Sequence, residues 1–98
     1  MRVSYSVEAE DDLRGVARFI VEGGGEREVA RRFVGGLRSK VVELAGLPFV
    51  VGRLRPEIKP DLRSYAHGRY VIFFYAGDDV FRVMAVIEGH RDLRGLFG

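Results

Sequence analysis

The chain contains no cysteine. That absence excludes a disulfide framework, a cysteine-based zinc or iron–sulfur site and a thiol nucleophile together, so the fold must hold without staples. Tryptophan is also missing, and no apolar run approaches the ~20 residues that a membrane-spanning helix needs. The opening Met1-Arg2-Val3-Ser4-Tyr5 lacks the apolar core of a signal peptide, so a soluble, cytoplasmic protein without a membrane partner is expected. Glycine-rich phosphate loops, nucleophile elbows and paired-carboxylate motifs are all lacking, which removes support for nucleotide binding or hydrolysis. The two histidines have no ligand-like spacing, so neither a metal nor any other cofactor is expected.

What is present suits one compact domain spanning residues 1–98. Hydrophobic residues make up 47% and charged residues 31% of the 98, a globular balance far from that of disordered chains. The net charge of +2 conceals an uneven distribution. Residues 1–30 carry four Arg against seven acids, a charge of −3, whereas residues 31–69 carry nine Lys and Arg against three acids, a charge of +6. Fourteen of the sixteen cations are Arg, which suits bidentate pairing with carboxylate or phosphate and equally suits a codon bias toward Arg.

Periodicity organises the chain. Residues 2–5 alternate as a short strand. Ser6 offers a helix N-cap, and Glu8, Glu10, Asp11 and Asp12 follow where the helix dipole favours negative charge. Leu13, Val16, Ala17 and Ile20 then form one apolar stripe, which Gly23-Gly24-Gly25 ends. A second helical pattern from about Arg27 to Ala45 places Ala30, Phe33, Val34, Leu37, Val41, Leu44 and Ala45 on an apolar face, making a two-helix hairpin with the first. Gly35 and Gly36 interrupt it at roughly 1 kcal/mol each relative to Ala, which implies either a closely approaching backbone or a bend. Residues 49–61 read as an irregular loop. Three strands follow, 62–66, 69–76 and 80–87, with turns at His67-Gly68 (two residues) and Gly77-Asp78-Asp79 (three residues). The middle strand is apolar on both faces, as a covered central strand should be. The order strand, two helices, three-stranded antiparallel meander and short C-terminal helix defines an α+β class.

Several residues carry candidate chemistry. Arg53, Arg55, Lys59, Arg63 and Arg69 form the basic core of the middle block. If the loop folds beside the meander they line one groove for phosphates or an acidic peptide; otherwise they are solvated side chains in local salt bridges. His90, beside Glu88 and Arg91, has the chemistry of a general acid or base and also the context of a surface-loop histidine; His67 reads as turn chemistry. A sheet covered by helices on one face would leave apolar surface bare, which marks a protein partner.

The element order and a series of strings resemble the ParE toxins of the RelE/ParE superfamily of type II toxin–antitoxin systems. The strings are Ser6-Val7-Glu8-Ala9-Glu10-Asp11-Asp12-Leu13, Leu44-Ala45-Gly46-Leu47-Pro48, Gly52-Arg53 with Arg55-Pro56-Glu57, Leu62-Arg63-Ser64-Tyr65, Gly68-Arg69-Tyr70-Val71-Ile72-Phe73-Phe74-Tyr75 and Gly89-His90-Arg91-Asp92-Leu93. The resemblance implies a RelE/ParE-like fold and a toxin that inhibits DNA gyrase without being an enzyme. It further implies a hetero-oligomer with a ParD-like antitoxin, which alone contacts operator DNA, and a role in plasmid stabilisation. Antitoxin contact is expected at Arg53, Arg55, Arg63 and Arg69. Target contact is expected at Arg91, Leu93, Arg94 and Phe97, a tail that equally suits a turn packed on the core. The alternative within the same fold is a RelE-like ribosome-dependent mRNA endonuclease using Arg63, Arg69, Arg82 and His90. A Tyr after Tyr75 and a loop lysine cluster, both part of the RelE pattern, are absent here. A non-toxic antitoxin-binding co-repressor is a third possibility.

Overall fold

The computed structural model describes residues 1–89. The chain runs β1 (Arg2–Tyr5), α1 (Val7–Glu22), α2 (Arg27–Ala45), β2 (Arg53–Leu54), β3 (Arg63–His67), β4 (Tyr70–Gly77) and β5 (Val80–Glu88). These strands form one five-stranded sheet in the order β1-β5-β4-β3-β2. The meander pairs antiparallel as expected, while β1 lies parallel to β5, Tyr5 opposite Val83. The connection between them runs through the helical hairpin and then β2, β3 and β4, well beyond the dozen or so residues that a parallel pairing requires.

The two tight turns each differ from expectation by one residue. Gly77 pairs with Val80, so the β4–β5 turn is the two residues Asp78 and Asp79 rather than three. Both have positive φ, 51° and 63°, as a type I′ hairpin turn demands, and aspartate tolerates that region better than most side chains. His67 pairs with Tyr70, so the β3–β4 turn is Gly68-Arg69 rather than His67-Gly68, with Gly68 at φ 60°. The stretch expected to be an irregular loop also contains β2, whose Arg53 and Leu54 add to the edge of β3. Its entry needs Gly52, at φ 91°, because a Cβ there would meet the Phe74 ring at 2.8 Å and the Ser64 carbonyl at 2.9 Å.

Helix α1 is fastened to β5 where β1 runs out. A bulge opposite Phe73 and Phe74 leaves Met84 without a ladder partner. The Ser6 amide donates to the Val83 carbonyl at 2.9 Å, and the Ser6 hydroxyl donates to the Met84 carbonyl at 2.9 Å. That same hydroxyl accepts from the Ala9 amide at 3.0 Å, capping α1. One turn later the Asp12 carboxylate accepts from the Val86 amide at 2.9 Å.

The main core lies between the helices and one sheet face. Ala9, Leu13 and Val16 of α1 and Leu37, Val41 and Leu44 of α2 pack on Ile72, Phe74, Phe81, Val83 and Val86. The Phe74 and Phe81 rings stack at 4.3 Å. On the opposite face Leu62, Phe73, Ala85 and Ile87 form a smaller cluster, so β4 is apolar on both sides as its sequence implies. Phe33 departs from its expected place in the core. It is 38% exposed and meets the Tyr70 ring edge-on at 5.7 Å. At Gly35 and Gly36, apart from the helix's own neighbouring backbone, no described atom lies within 4 Å of where a Cβ would sit, so no other segment of the described chain approaches them closely. Among the described residues, no helix is long and apolar enough to cross a membrane.

Candidate functional site

One apolar depression follows from the way the helices pair. Small residues at Ala17, Ala30 and Gly35 leave the outer side of the hairpin unfilled, and a groove of about 690 Å³ runs between α1 and α2. Its floor is Leu13, Ala17, Ala30 and Val34, and its lining is mostly apolar. Around this floor stand five guanidinium groups, Arg14 and Arg18 from α1 and Arg27, Arg31 and Arg38 from α2, with Glu22 as the acid of the lining. Val21, 38% exposed, continues the apolar surface at the hairpin end.

The cations differ in how they are held. Arg38 makes a two-pronged contact with Glu10, at 3.1 and 2.8 Å, and stacks 4.9 Å over the Tyr5 ring. Hydrogen bonding from Arg38 holds the Glu10 carboxyl below its ordinary range, and Glu10 in turn raises Arg38. Burial pushes the Tyr5 phenol up, against the opposing pull of Arg38. Arg31 pairs with Glu28 at 2.7 Å, and Arg14 pairs with Asp11. Arg18 and Arg27 have no ion pair among the described residues, which leaves two free cations at the hairpin end of an apolar groove. Such a surface suits an acidic amphipathic ligand: its floor rewards apolar burial and its rim rewards carboxylates.

The arginines picked out by sequence do not form one groove. Arg53, Arg55 and Arg63 gather at the β2 end of the sheet. Arg55 donates to Glu57 at 2.6 Å and to the Ser64 hydroxyl at 3.3 Å and lies 5.7 Å from the Phe73 ring, while Arg63 donates to the Gly52 carbonyl at 3.2 Å. The Arg55 contact holds the Glu57 carboxyl below its ordinary range. Arg69 is separated from them. It sits in the β3–β4 turn, paired with Glu88 at 3.2 Å, because six residues of extended chain from Arg63 carry it about 20 Å along the sheet. For the same reason Arg69 cannot join Arg63 and Arg82 in one nuclease site. Arg63 and Arg82 do line a common pocket of about 490 Å³ with Tyr75, Asp61 and Asp78, and Arg82 donates to the Ser4 hydroxyl at 2.7 Å. His90 and the tail residues Arg91, Leu93, Arg94 and Phe97 lie outside the described residues.

The interhelical groove escaped the sequence reading, though a signal existed. Arg14 and Arg18, four apart on α1, and Arg27, Arg31 and Arg38 on α2 form two cationic rows that flank the apolar stripes, with Ala17, Ala30 and Gly35 where larger side chains would close the gap.

The comparisons with known proteins bear on this geometry. No curated protein matches the chain significantly. Among solved structures, a chain of one described as the chromosomal ParDE TA system from P. aeruginosa superposes with a TM-score of 0.75 at 19% identity, covering 90% of this chain and 95% of that one. At that identity the likeness establishes the fold. A family model described as the ParE toxin of the type II toxin–antitoxin system parDE matches residues 3–93. With almost the whole length matched and the expected strand, helical hairpin and sheet in place, the chain belongs to the ParE toxin family.

Proposed function

We propose that this protein is the toxin of a parDE pair, held silent by a ParD-like antitoxin whose acidic amphipathic helix lies in the groove between α1 and α2, and that once released it inhibits DNA gyrase. The observation that carries the antitoxin site is the groove itself, an apolar floor rimmed by five arginines of which Arg18 and Arg27 have no ion pair among the described residues. Helix-in-groove recognition uses this combination. Arg53 and Arg63 offer a second contact for an extended part of the same antitoxin, whereas Arg55 is already engaged by Glu57 and Arg69 by Glu88. The gyrase target rests on family membership, and the tail at Arg91, Leu93, Arg94 and Phe97 remains its proposed contact.

A second reading has one observation in its favour: Arg63, Arg82 and Tyr75 share a pocket in which two guanidiniums without carboxylate partners among the described residues could hold a phosphodiester. Expression in a bacterial host, with and without the adjacent reading frame, separates the two. Growth arrest with an induced DNA-damage response, intact messages and loss of supercoiling by purified gyrase supports the toxin proposed here. Cleaved messages without DNA damage would replace it with the nuclease, and no arrest would leave a silent antitoxin binder.

A further inference from the structure

The Gly35-Gly36 pair in α2 is a feature the fold does not use. Each glycine in a helix interior sacrifices stability relative to alanine. Neither adopts a positive φ, and the space where a Cβ would sit is open among the described residues at both positions. The fold would therefore accept side chains at 35 and 36.

The two positions differ in where they face. Gly35 lies in the wall of the interhelical groove, one turn from Arg31 and from Arg38 and adjacent to Val34. Gly36 is turned about 100° around the helix and is not among the lining residues. At Gly35 the missing side chain thus makes a notch in the groove wall, where another chain can come close to the α2 backbone. The free cations Arg18 and Arg27 stand at the hairpin end. Eight residues of α2 separate Gly35 from Arg27, about 12 Å along the axis.

We infer that Gly35 is a specificity-determining notch that seats one large apolar side chain of the partner's acidic helix, while a carboxylate about two turns away on the same face of that helix meets Arg18 and Arg27. The inference rests on the antitoxin reading above and adds to it a sequence signature for the partner. A bulky apolar residue and an Asp or Glu are separated by about seven or eight positions, since about 12 Å of helix is eight residues whereas extended chain would cover it in about four.

The test compares Gly35→Leu, Gly35→Ala and Gly36→Leu for thermal stability and for binding, by calorimetry, to the purified antitoxin encoded beside the toxin. All three variants are expected to melt at or above the wild-type temperature. Gly35→Leu is expected to lose at least about 30-fold in affinity, the scale of an interface hot spot, with Gly36→Leu staying within about threefold. Gly35→Ala should gain stability and lose affinity together, a combination that general damage to the fold does not produce. Equal affinities for Gly35→Leu and wild type, or equal losses at 35 and 36, would overturn the notch while leaving antitoxin pairing intact. Failure of the wild-type chain itself to bind would overturn the underlying reading as well.

Discussion

Removing the hydroxyl of Ser6 tests the joint that sets α1 on the sheet. Ser6 is 3% exposed, and its Oγ serves two partners: it accepts from the Ala9 amide at 3.0 Å and donates to the Met84 carbonyl at 2.9 Å. Loss of an N-cap costs about 1 kcal/mol. A partly buried carbonyl left without its donor costs up to about 1–3 kcal/mol more, and the bulge denies Met84 a ladder partner to fall back on. Ser6→Ala should therefore destabilise by about 2–4 kcal/mol, a large share of the roughly 5–15 kcal/mol of a small domain. Urea denaturation followed by far-UV circular dichroism is the assay, and the m-value should stay constant. Ser6→Asp separates the two contributions, because a carboxylate caps the Ala9 amide but donates nothing to Met84. It should recover the cap and remain at least about 1 kcal/mol below wild type. A loss under about 1 kcal/mol for Ser6→Ala, or a Ser6→Asp variant as stable as wild type, would refute the claim that this hydroxyl joins helix to sheet.

Other perturbations have equally definite outcomes. Gly52→Ala should destabilise by about 2 kcal/mol or more, since the left-handed conformation adds strain and the methyl would press on the Phe74 ring and the Ser64 carbonyl; thermal melting reads it. The Glu10–Arg38 pair, with side chains 33% and 42% exposed, is worth about 0.5–1 kcal/mol at neutral pH. Because Glu10 is held below its unfolded value, that contribution is full above about pH 5 and fades as pH falls through the folded value, so the stability gap between wild type and Glu10→Gln should close toward about pH 2 in denaturation series. Reversing both free cations, Arg18→Glu with Arg27→Glu, should leave the melting temperature nearly unchanged. It should weaken antitoxin binding by about tenfold or more at low salt, and by less at about 1 M salt, where screening is short-ranged.

The elements that sequence revealed are those with strong local causes. Ser6 followed by Glu8 and Glu10 marks the start of α1 through capping and dipole effects, and the spacing of Leu37, Val41 and Leu44 marks the buried side of α2. The turns slipped by one residue because turn identity depends on register, and register is set by partners on the neighbouring strand. Asp78 and Asp79 accept positive φ because Gly77 is claimed by Val80. The two-residue β2 had no periodicity of its own and forms because β3 offers an edge beside the permissive Gly52. Phe33 shares the helical spacing of the core, yet it falls at the margin of the stripe and meets Tyr70 at the surface. The groove depended on the packing of two helices, which neither stripe encodes alone. Arg69 was drawn into the basic cluster by proximity in sequence, and a strand turns that proximity into separation.

The most direct test of antitoxin docking between the helices is an amide chemical-shift titration of the toxin with its antitoxin, observed by NMR. If the interhelical groove receives the partner helix, the largest changes will fall on Ala17, Ala30, Val34 and Gly35, with smaller ones near Arg53 and Arg63. Changes centred on Arg53, Arg55 and Arg63, with the groove residues silent, would contradict it.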